Sequence, residues 1–188
     1  MVMLVIGLAV FLGIHLLPAF PPVRAAVIDS LGERRYKAAF SLASAIGLAL
    51  IVLGYAHSTA RDRLFAPVAL ATAIAPLAMC VSFVLLAAAN MRSHLRRSLR
   101  HPMLTGILIW SGVHLLANGD RTGTVLFGAF FAFALIDLVS AVRRRAVRSF
   151  EPELRFDLLA VGSGLLGALA VMFFHRFLFG VRVVPFGI

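Results

Sequence analysis

Six long apolar runs, separated by short charged connections, dominate this sequence of 188 residues. The runs extend over about Val2–Phe20, Tyr36–Tyr55, Phe65–Asn90, Pro102–Ala117, Thr124–Val142 and Phe156–Phe179. About 20 apolar residues in a helix cross the hydrocarbon core of a bilayer, because a helix satisfies its own backbone hydrogen bonds. Apolar residues make up 61% of the chain, whereas they make up about half of a soluble domain. The sequence therefore predicts an all-α fold, a polytopic transmembrane helical bundle of about six spans, as a single membrane domain over residues 1–188.

The basic residues predict how the bundle is oriented in the membrane. Lys and Arg together number 18, against 8 for Asp and Glu. In a soluble chain this surplus would favour nucleic acid, but here the basic residues flank the apolar runs and no nucleic-acid partner is expected. The connections after the first, third and fifth runs, together with Lys37 at the start of the second run, contain 13 of the 18 basic residues. By the positive-inside rule these connections face the cytoplasm, so both termini lie on the other side. The first run lacks a preceding basic segment and an A-x-A-like cleavage site, so we expect a retained span and not a signal peptide.

The fourth run, within RHPMLTGILIWSGVHLLANGD at Arg100–Asp120, carries a polar stripe inside the predicted membrane. Ser111, His114 and Asn118 share one helix face at spacing i, i+3, i+7. A polar side chain in hydrocarbon is costly unless it has a partner. The stripe therefore predicts that this helix faces the interior of the bundle.

A second histidine, His15, lies in the first run just before Pro18, which cannot donate to the carbonyl of Ile14 and so loosens the helix. Two interpretations of His15 and His114 are open. Each histidine makes a hydrogen bond between helices, or both ligate a cofactor, since neutral imidazole is a common metal ligand and haem often takes histidine axially. Counted from the membrane interface at the helix rise, both histidines are expected near the midplane.

Polar residues also mark one end of the bundle. Arg100 and His101 stand at the beginning of the fourth run, and two interpretations of them are open. They are interface anchors, or they form a polar gate or a site for an anionic group such as a haem propionate or a nucleotide-like ligand. Asp137 lies near the end of the fifth run. It pairs with Arg143 or Arg144, or it orients a ligand histidine by accepting its free N–H.

Motif searches exclude several function classes. The single cysteine, Cys80, rules out a disulfide within the chain and a cysteine-based metal cluster. The sequence contains no Gly-rich phosphate loop, nucleophile elbow or HExxH motif. No familiar soluble-enzyme class is therefore indicated.

Three segments carry a resemblance to a known family. They are FLGIH at Phe11–His15, LGERRYKAAFSLAS at Leu31–Ser44, and the Arg100–Asp120 segment with its HPxLxGxxxW and HLLANGD motifs. In these segments the chain resembles the NnrU family of bacterial membrane proteins, named from denitrification gene clusters. The resemblance covers nearly the whole chain. It implies an inner-membrane protein with periplasmic termini and a role in nitrite and nitric oxide metabolism or a redox accessory function.

A more distant resemblance, to 15-cis-zeta-carotene isomerase, implies a cofactor. That enzyme carries haem b, and its two ligand histidines match His15 and His114. A cysteine implicated there as an alternative ligand falls at Ser111, so no cysteine-for-histidine switch is expected. The residues expected at the cofactor are His15, His114, Ser111, Asn118, Arg100, His101 and Asp137. A hydrophobic small molecule is then a candidate partner besides the lipid bilayer.

A weaker resemblance is to isoprenylcysteine carboxyl methyltransferases, through RHPMLTG at the start of the fourth run. Leu104 replaces an aromatic residue, and no glutamate occurs between Glu33 and Glu151, where those enzymes use a glutamate pair. Three functions thus stay open: a haem protein, a methyltransferase with Arg100 and His101 near the donor, and a cofactor-free assembly or transport helper.

Overall fold

The structure is a computed structural model that describes residues 1–147, 149–181 and 183–184. Eight α-helices and one 3₁₀ turn make up the regular structure of these residues. The helices are α1 (Val2–Leu16, continued by the 3₁₀ turn Leu17–Ala19), α2 (Pro21–Leu31), α3 (Glu33–Ala56), α4 (Ala69–Ala88), α5 (His94–Leu99), α6 (Pro102–Asn118), α7 (Arg121–Arg143) and α8 (Leu154–Phe179). The predicted all-α class is confirmed.

The apolar runs correspond to six helices. Helices α1 with its 3₁₀ turn, α3, α4, α7 and α8 are long and apolar enough to cross a membrane. Helix α6 is also apolar but has 17 residues, or about 26 Å at the helix rise, somewhat less than a bilayer core of about 30 Å. Many large apolar side chains on the outer faces of the bundle are exposed, as they are in a protein surrounded by lipid. The polytopic bundle is confirmed.

Two connections contain helices of their own, and the predicted start of one long helix is wrong. The connection after the first run contains the 11-residue helix α2, which begins at Pro21. The basic connection after α4 contains the short helix α5. Helix α4 begins at Ala69 and not at Phe65, because the N–H groups of Leu64 and Phe65 donate to the carbonyl of Gly119.

The long helices pack in the order α3, α1, α7, α6, α4, α8. Close approach of α1 and α3 depends on two glycines of α3, Gly47 and Gly54. A Cβ atom at Gly54 would lie 2.4 Å from the backbone nitrogen of Leu4, and one at Gly47 would lie 2.8 Å from that of Phe11. Only a residue without a side chain allows α1 and α3 to approach this closely.

The main apolar core lies between α1, α6 and α7. Its buried residues include Leu4, Leu8, Leu12, Leu104, Leu126, Phe127 and Phe133. The buried hydroxyl of Ser82 on α4 donates to the carbonyl of Gly106 on α6 at 2.8 Å, and this hydrogen bond links α4 to α6. These contacts fix α6 and α1 on either side of α7.

The Asn-Gly-Asp turn fixes the end of α6. Gly119 adopts φ +74°, and a Cβ atom there would lie 2.3 Å from the carbonyl oxygen of Phe65. Asp120 caps α7 by accepting from the N–H of Gly123 at 2.9 Å. Thr122 is fully buried and donates to the carbonyl of Ala60 at 2.7 Å. The turn is therefore accounted for by packing and capping.

Candidate cofactor site

His15 lies at the end of α1, where the helix changes to the 3₁₀ turn that contains Pro18. The predicted loosening of the helix beside His15 is confirmed, because proline lacks the N–H that would continue the α-helix. The Nδ1 atom of His15 lies 2.7 Å from the carbonyl oxygen of Phe11. Its ring centroid lies 4.2 Å from that of Phe11 and 5.1 Å from that of Phe40 on α3.

His114 has a matching environment on α6. Its Nδ1 atom lies 2.8 Å from the carbonyl oxygen of Trp110. Its ring stacks on Phe127 of α7 with the centroids 4.8 Å apart, and the Trp110 ring lies at 5.6 Å. Each histidine is thus half-buried and follows an aromatic residue by one helical turn.

These hydrogen bonds determine which imidazole nitrogen is free. A carbonyl oxygen only accepts, so Nδ1 carries the proton in both His15 and His114, and Nε2 presents a lone pair. Within the described residues, neither Nε2 atom makes a hydrogen bond. Metal-ligating histidines characteristically donate their other N–H in this way. The bond alone is not diagnostic, since exposed His57 makes the same contact with the carbonyl of Leu53 at 2.9 Å.

The relative depth of the two histidines follows from a shared aromatic contact. Phe11 and Trp110 both contact Phe130 of α7, with ring centroids 6.0 Å and 5.3 Å away. We call these three residues the aromatic layer. Helices α1 and α6 run in opposite directions, so the Cα atoms of His15 and His114 lie about one turn beyond the layer on opposite sides, about 12 Å apart along the bundle.

The expectation that both histidines lie near the membrane midplane stays a prediction, because their separation along the bundle does not give their depth in the bilayer. Helical side chains lean towards the N-terminus of their own helix. Because α1 and α6 are antiparallel, the imidazoles of His15 and His114 both lean back towards the aromatic layer. By this lean, the two imidazoles lie closer together along the bundle than their Cα atoms do.

The donor set fits a bis-histidine haem. Two half-buried imidazoles, each with Nε2 free, lie beside aromatic side chains, and an apolar, aromatic surface is the kind that binds a large flat cofactor. In the described chain, α1 packs mainly on α3, and α6 packs on α4 and α7; α7 also contacts α1 and so lies between α1 and α6. Phe130 contacts both Phe11 and Trp110, so these rings must separate for a macrocycle to lie between the histidines.

A further polar group supports the fit. The Oγ atom of Ser44 is buried and has no hydrogen-bond partner among the described residues. Ser44 follows Phe40 by one turn on α3, and Gly47 follows by nearly another, so all three lie on the face that packs against α1 near His15. A buried polar group without a partner is unusual and calls for an explanation. A ligand beside His15 supplies one.

The polar stripe of α6 divides into separate environments. Ser111 is fully buried, and its hydroxyl donates to the carbonyl of Ile107 on the same helix at 2.6 Å. Asn118 ends the helix, one turn beyond His114, and lies close to Gly123 in the first turn of α7. The geometry thus brings His114, but neither of the other two residues, into the aromatic contacts with α7.

Arg100, His101 and Asp137 are separate from the histidine pair. They line a cavity of about 220 Å³ where α6 begins and α7 ends. Asp137 lies 3.8 Å from Arg144, so of the two interpretations the contacts show the ion pair. The Nδ1 atoms of His15 and His114 donate to backbone carbonyls and not to this carboxylate. Asp137 also lies seven residues beyond Phe130, or about 10 Å along α7.

Several residues of the site were not identified from the sequence. They are Phe11, Phe40, Ser44, Trp110, Phe127 and Phe130. One signal was available, because FLGIH and WSGVH both place an aromatic residue four positions before a histidine. On a helix this spacing puts the ring and the imidazole on the same face.

These features define a class, a polytopic helical membrane protein with two half-buried histidines packed among aromatic side chains. Over residues 3–183 the chain matches the family described as NnrU protein, and it belongs to the NnrU family. No curated protein matches the chain, and no solved structure matches it.

Proposed function

We propose that this NnrU-family protein binds one haem b between α1 and α6, with His15 and His114 as the axial ligands. The observation that carries the proposal is a pair of half-buried imidazoles on antiparallel helices, each with Nδ1 engaged and Nε2 free, on opposite sides of one aromatic layer. The distant resemblance to 15-cis-zeta-carotene isomerase supports the choice of haem b as the cofactor.

The protein residues would hold and orient the group. The carbonyl oxygens of Phe11 and Trp110 fix the tautomer and rotation of the two imidazoles through Nδ1. The rings of Phe40 and Phe127 limit the movement of His15 and His114. A haem with two nitrogen ligands supplies one-electron transfer when bound, and an apolar, water-poor setting tunes its potential.

We further propose that the protein acts in the bacterial inner membrane, with periplasmic termini, as a redox accessory of nitrite and nitric oxide metabolism. The family's link to denitrification gene clusters supports this role. A strain that lacks the protein should consume nitrite or nitric oxide more slowly. Wild-type protein should restore the rate and the His15→Ala variant should not. Equal restoration by both would contradict a haem-dependent role.

The haem itself is tested with the full-length protein purified in mild detergent from haem-replete cells. Wild type should show a sharp Soret band and about one haem per chain by pyridine haemochrome assay. His15→Ala and His114→Ala should each lose most of that haem or become high-spin, because one axial ligand is missing.

The matched control is His57→Ala. His57 makes the same Nδ1 hydrogen bond to a carbonyl four residues earlier, but it lies exposed at the end of α3. This variant should keep the wild-type spectrum and haem content. If His15→Ala and His114→Ala both keep an unchanged low-spin spectrum, the assignment is wrong.

The same preparation separates the other functions. A colourless protein that binds S-adenosylmethionine supports the methyltransferase, for which the cavity beside Arg100 and His101 is the available donor site. A colourless protein that does not bind it supports a cofactor-free assembly or transport helper. Isomerisation of a hydrophobic polyene is a further activity to assay only if haem is present.

A further inference from the structure

The cavity at the start of α6 combines cationic and apolar walls. Arg96, Arg100 and His101 contribute polar atoms, and Asp137 is the acidic residue of the lining. The apolar part of the lining comprises Ala89, Pro102, Met103, Leu104, Ala146, Val147 and Phe150. The cavity is amphipathic, and it lies at the end of the bundle that the charge distribution predicts to be cytoplasmic.

The charged residues of this cavity are not equally engaged. Arg96 lies over the Phe150 ring at 5.1 Å and donates to the carbonyl of Met91 at 3.4 Å. Asp137 is paired with Arg144. Within the described part of the chain, the side chain of Arg100 makes neither a hydrogen bond nor an ion pair. The lining therefore presents cationic donors to the cavity, while its carboxylate already has a cation.

The backbone at Arg100 is consistent with a role for its side chain. Arg100 adopts φ +62° and ψ −45° in the connection between α5 and α6. Glycine adopts positive φ at little cost, whereas a residue with a side chain is strained there. An arginine in this position places a guanidinium beside the cavity at the expense of local stability.

We propose that this cavity binds the phosphate of an anionic membrane lipid through Arg100, with Arg96 and His101 beside it. A guanidinium forms paired, charge-assisted hydrogen bonds with phosphate oxygens. The cavity is smaller than the about 300–1,000 Å³ of pockets that enclose a whole drug-sized ligand, so it suits a headgroup. The apolar wall would accommodate the glycerol and the first part of an acyl chain. Anionic lipids are abundant in the cytoplasmic leaflet.

The test uses full-length protein in a neutral detergent and three probes. These are dihexanoyl phosphatidylglycerol, dihexanoyl phosphatidylcholine and inorganic phosphate, with affinity measured from ligand-dependent thermal stabilisation. Phosphatidylglycerol should bind, phosphatidylcholine should bind more weakly, and inorganic phosphate should compete only at much higher concentration. Arg100→Gln should weaken phosphatidylglycerol binding by about 10- to 100-fold, the typical value of a charge-assisted hydrogen bond.

The matched control is Arg35→Gln, which removes one exposed positive charge from the first turn of α3 and does not line the cavity. It should leave the affinity for phosphatidylglycerol within about twofold, because surface charges act weakly through screened solvent. Arg100→Lys keeps the charge without the paired geometry and should give an intermediate affinity. It also serves as the test if Arg100→Gln does not fold.

Each outcome decides the proposal. If inorganic phosphate binds as tightly as phosphatidylglycerol and Arg100→Gln weakens both, the site is confirmed but its natural ligand is a soluble phosphate compound. If Arg35→Gln weakens binding as much as Arg100→Gln, the phosphate site at Arg100 is refuted. If the two lipids bind equally, the selectivity for an anionic lipid is refuted, because phosphatidylcholine carries the same phosphate with a compensating positive charge.

Discussion

Gly47 on α3 offers a direct test of how His15 is positioned. A Cβ atom at Gly47 would lie 2.8 Å from the backbone nitrogen of Phe11 and 2.9 Å from its Cβ atom. Phe11 is the residue whose carbonyl holds Nδ1 of His15. Because the obstructing atoms belong to the backbone and its first side-chain atom, α1 must move by about 0.6 Å to restore ordinary contact at 3.4 Å.

The magnitude follows from two opposing effects. Overpacking of this kind typically costs about 1–3 kcal/mol, whereas exchanging glycine for alanine inside a helix gains up to about 1 kcal/mol. Gly13→Ala on α1 isolates the second effect, since a Cβ atom at Gly13 meets nothing within 4 Å. We therefore expect Gly47→Ala to be less stable than Gly13→Ala by about 1–3 kcal/mol.

The assay is unfolding by a denaturing detergent in mixed micelles, with the haem content of each variant measured in parallel. Gly47→Ala should lose stability and haem together, because displacement of Phe11 misplaces the imidazole. Gly13→Ala should keep both, although it is closer to His15 in the sequence. Equal stability of the two variants would refute the close α1–α3 contact, and unchanged haem in a destabilised Gly47→Ala would refute its link to His15.

Three further predictions concern other residues. Ser44→Ala removes a buried hydroxyl without a partner, so it should leave the stability of the apo-protein unchanged or raise it by up to about 1 kcal/mol. If the hydroxyl contacts the cofactor, the same variant should bind haem more weakly. A loss of apo-protein stability in chemical unfolding would show that the hydroxyl has a partner within the protein. Asp137→Asn should change the unfolding free energy by about 1 kcal/mol or less, because partly exposed ion pairs contribute little, and it should leave the haem affinity unchanged. A tenfold loss of haem affinity in a titration would instead support the interpretation that Asp137 orients a ligand histidine. In a Cys80→Ser background, a membrane-impermeant maleimide should label Thr59→Cys in intact cells and Ser98→Cys only after permeabilisation, and the reverse pattern would contradict periplasmic termini.

Local features of the sequence predict the membrane helices well, because crossing a bilayer depends on the length and polarity of one continuous segment. Pro18 is another local feature with a predictable effect, since the change from the α-helix to a 3₁₀ turn follows from the N–H that proline lacks. The start of α4 was not predictable in this way. It depends on hydrogen bonds from Leu64 and Phe65 to Gly119, more than 50 residues away.

The candidate site is predictable only in part for a related reason. His15 and His114 are conspicuous because each is a polar residue in an apolar run. Their neighbours Phe40 and Phe127 belong to other helices and are ordinary apolar residues in the sequence. Asp137 also lies in an apolar run, but only the packing shows that it belongs to the cavity and not to the aromatic layer.

Helix α7 contributes to both proposed sites, and this arrangement makes their independence testable. It supplies Phe130 to the aromatic layer and Asp137 to the cavity, about 10 Å apart along its axis. If the cavity binds a lipid phosphate, Arg100→Gln should lose affinity for phosphatidylglycerol and keep its haem, while His15→Ala should lose haem and keep that affinity. If Arg100 instead binds a haem propionate, Arg100→Gln should lose haem as well. Measuring both ligands on both variants therefore decides whether the cavity is a second site or an extension of the first.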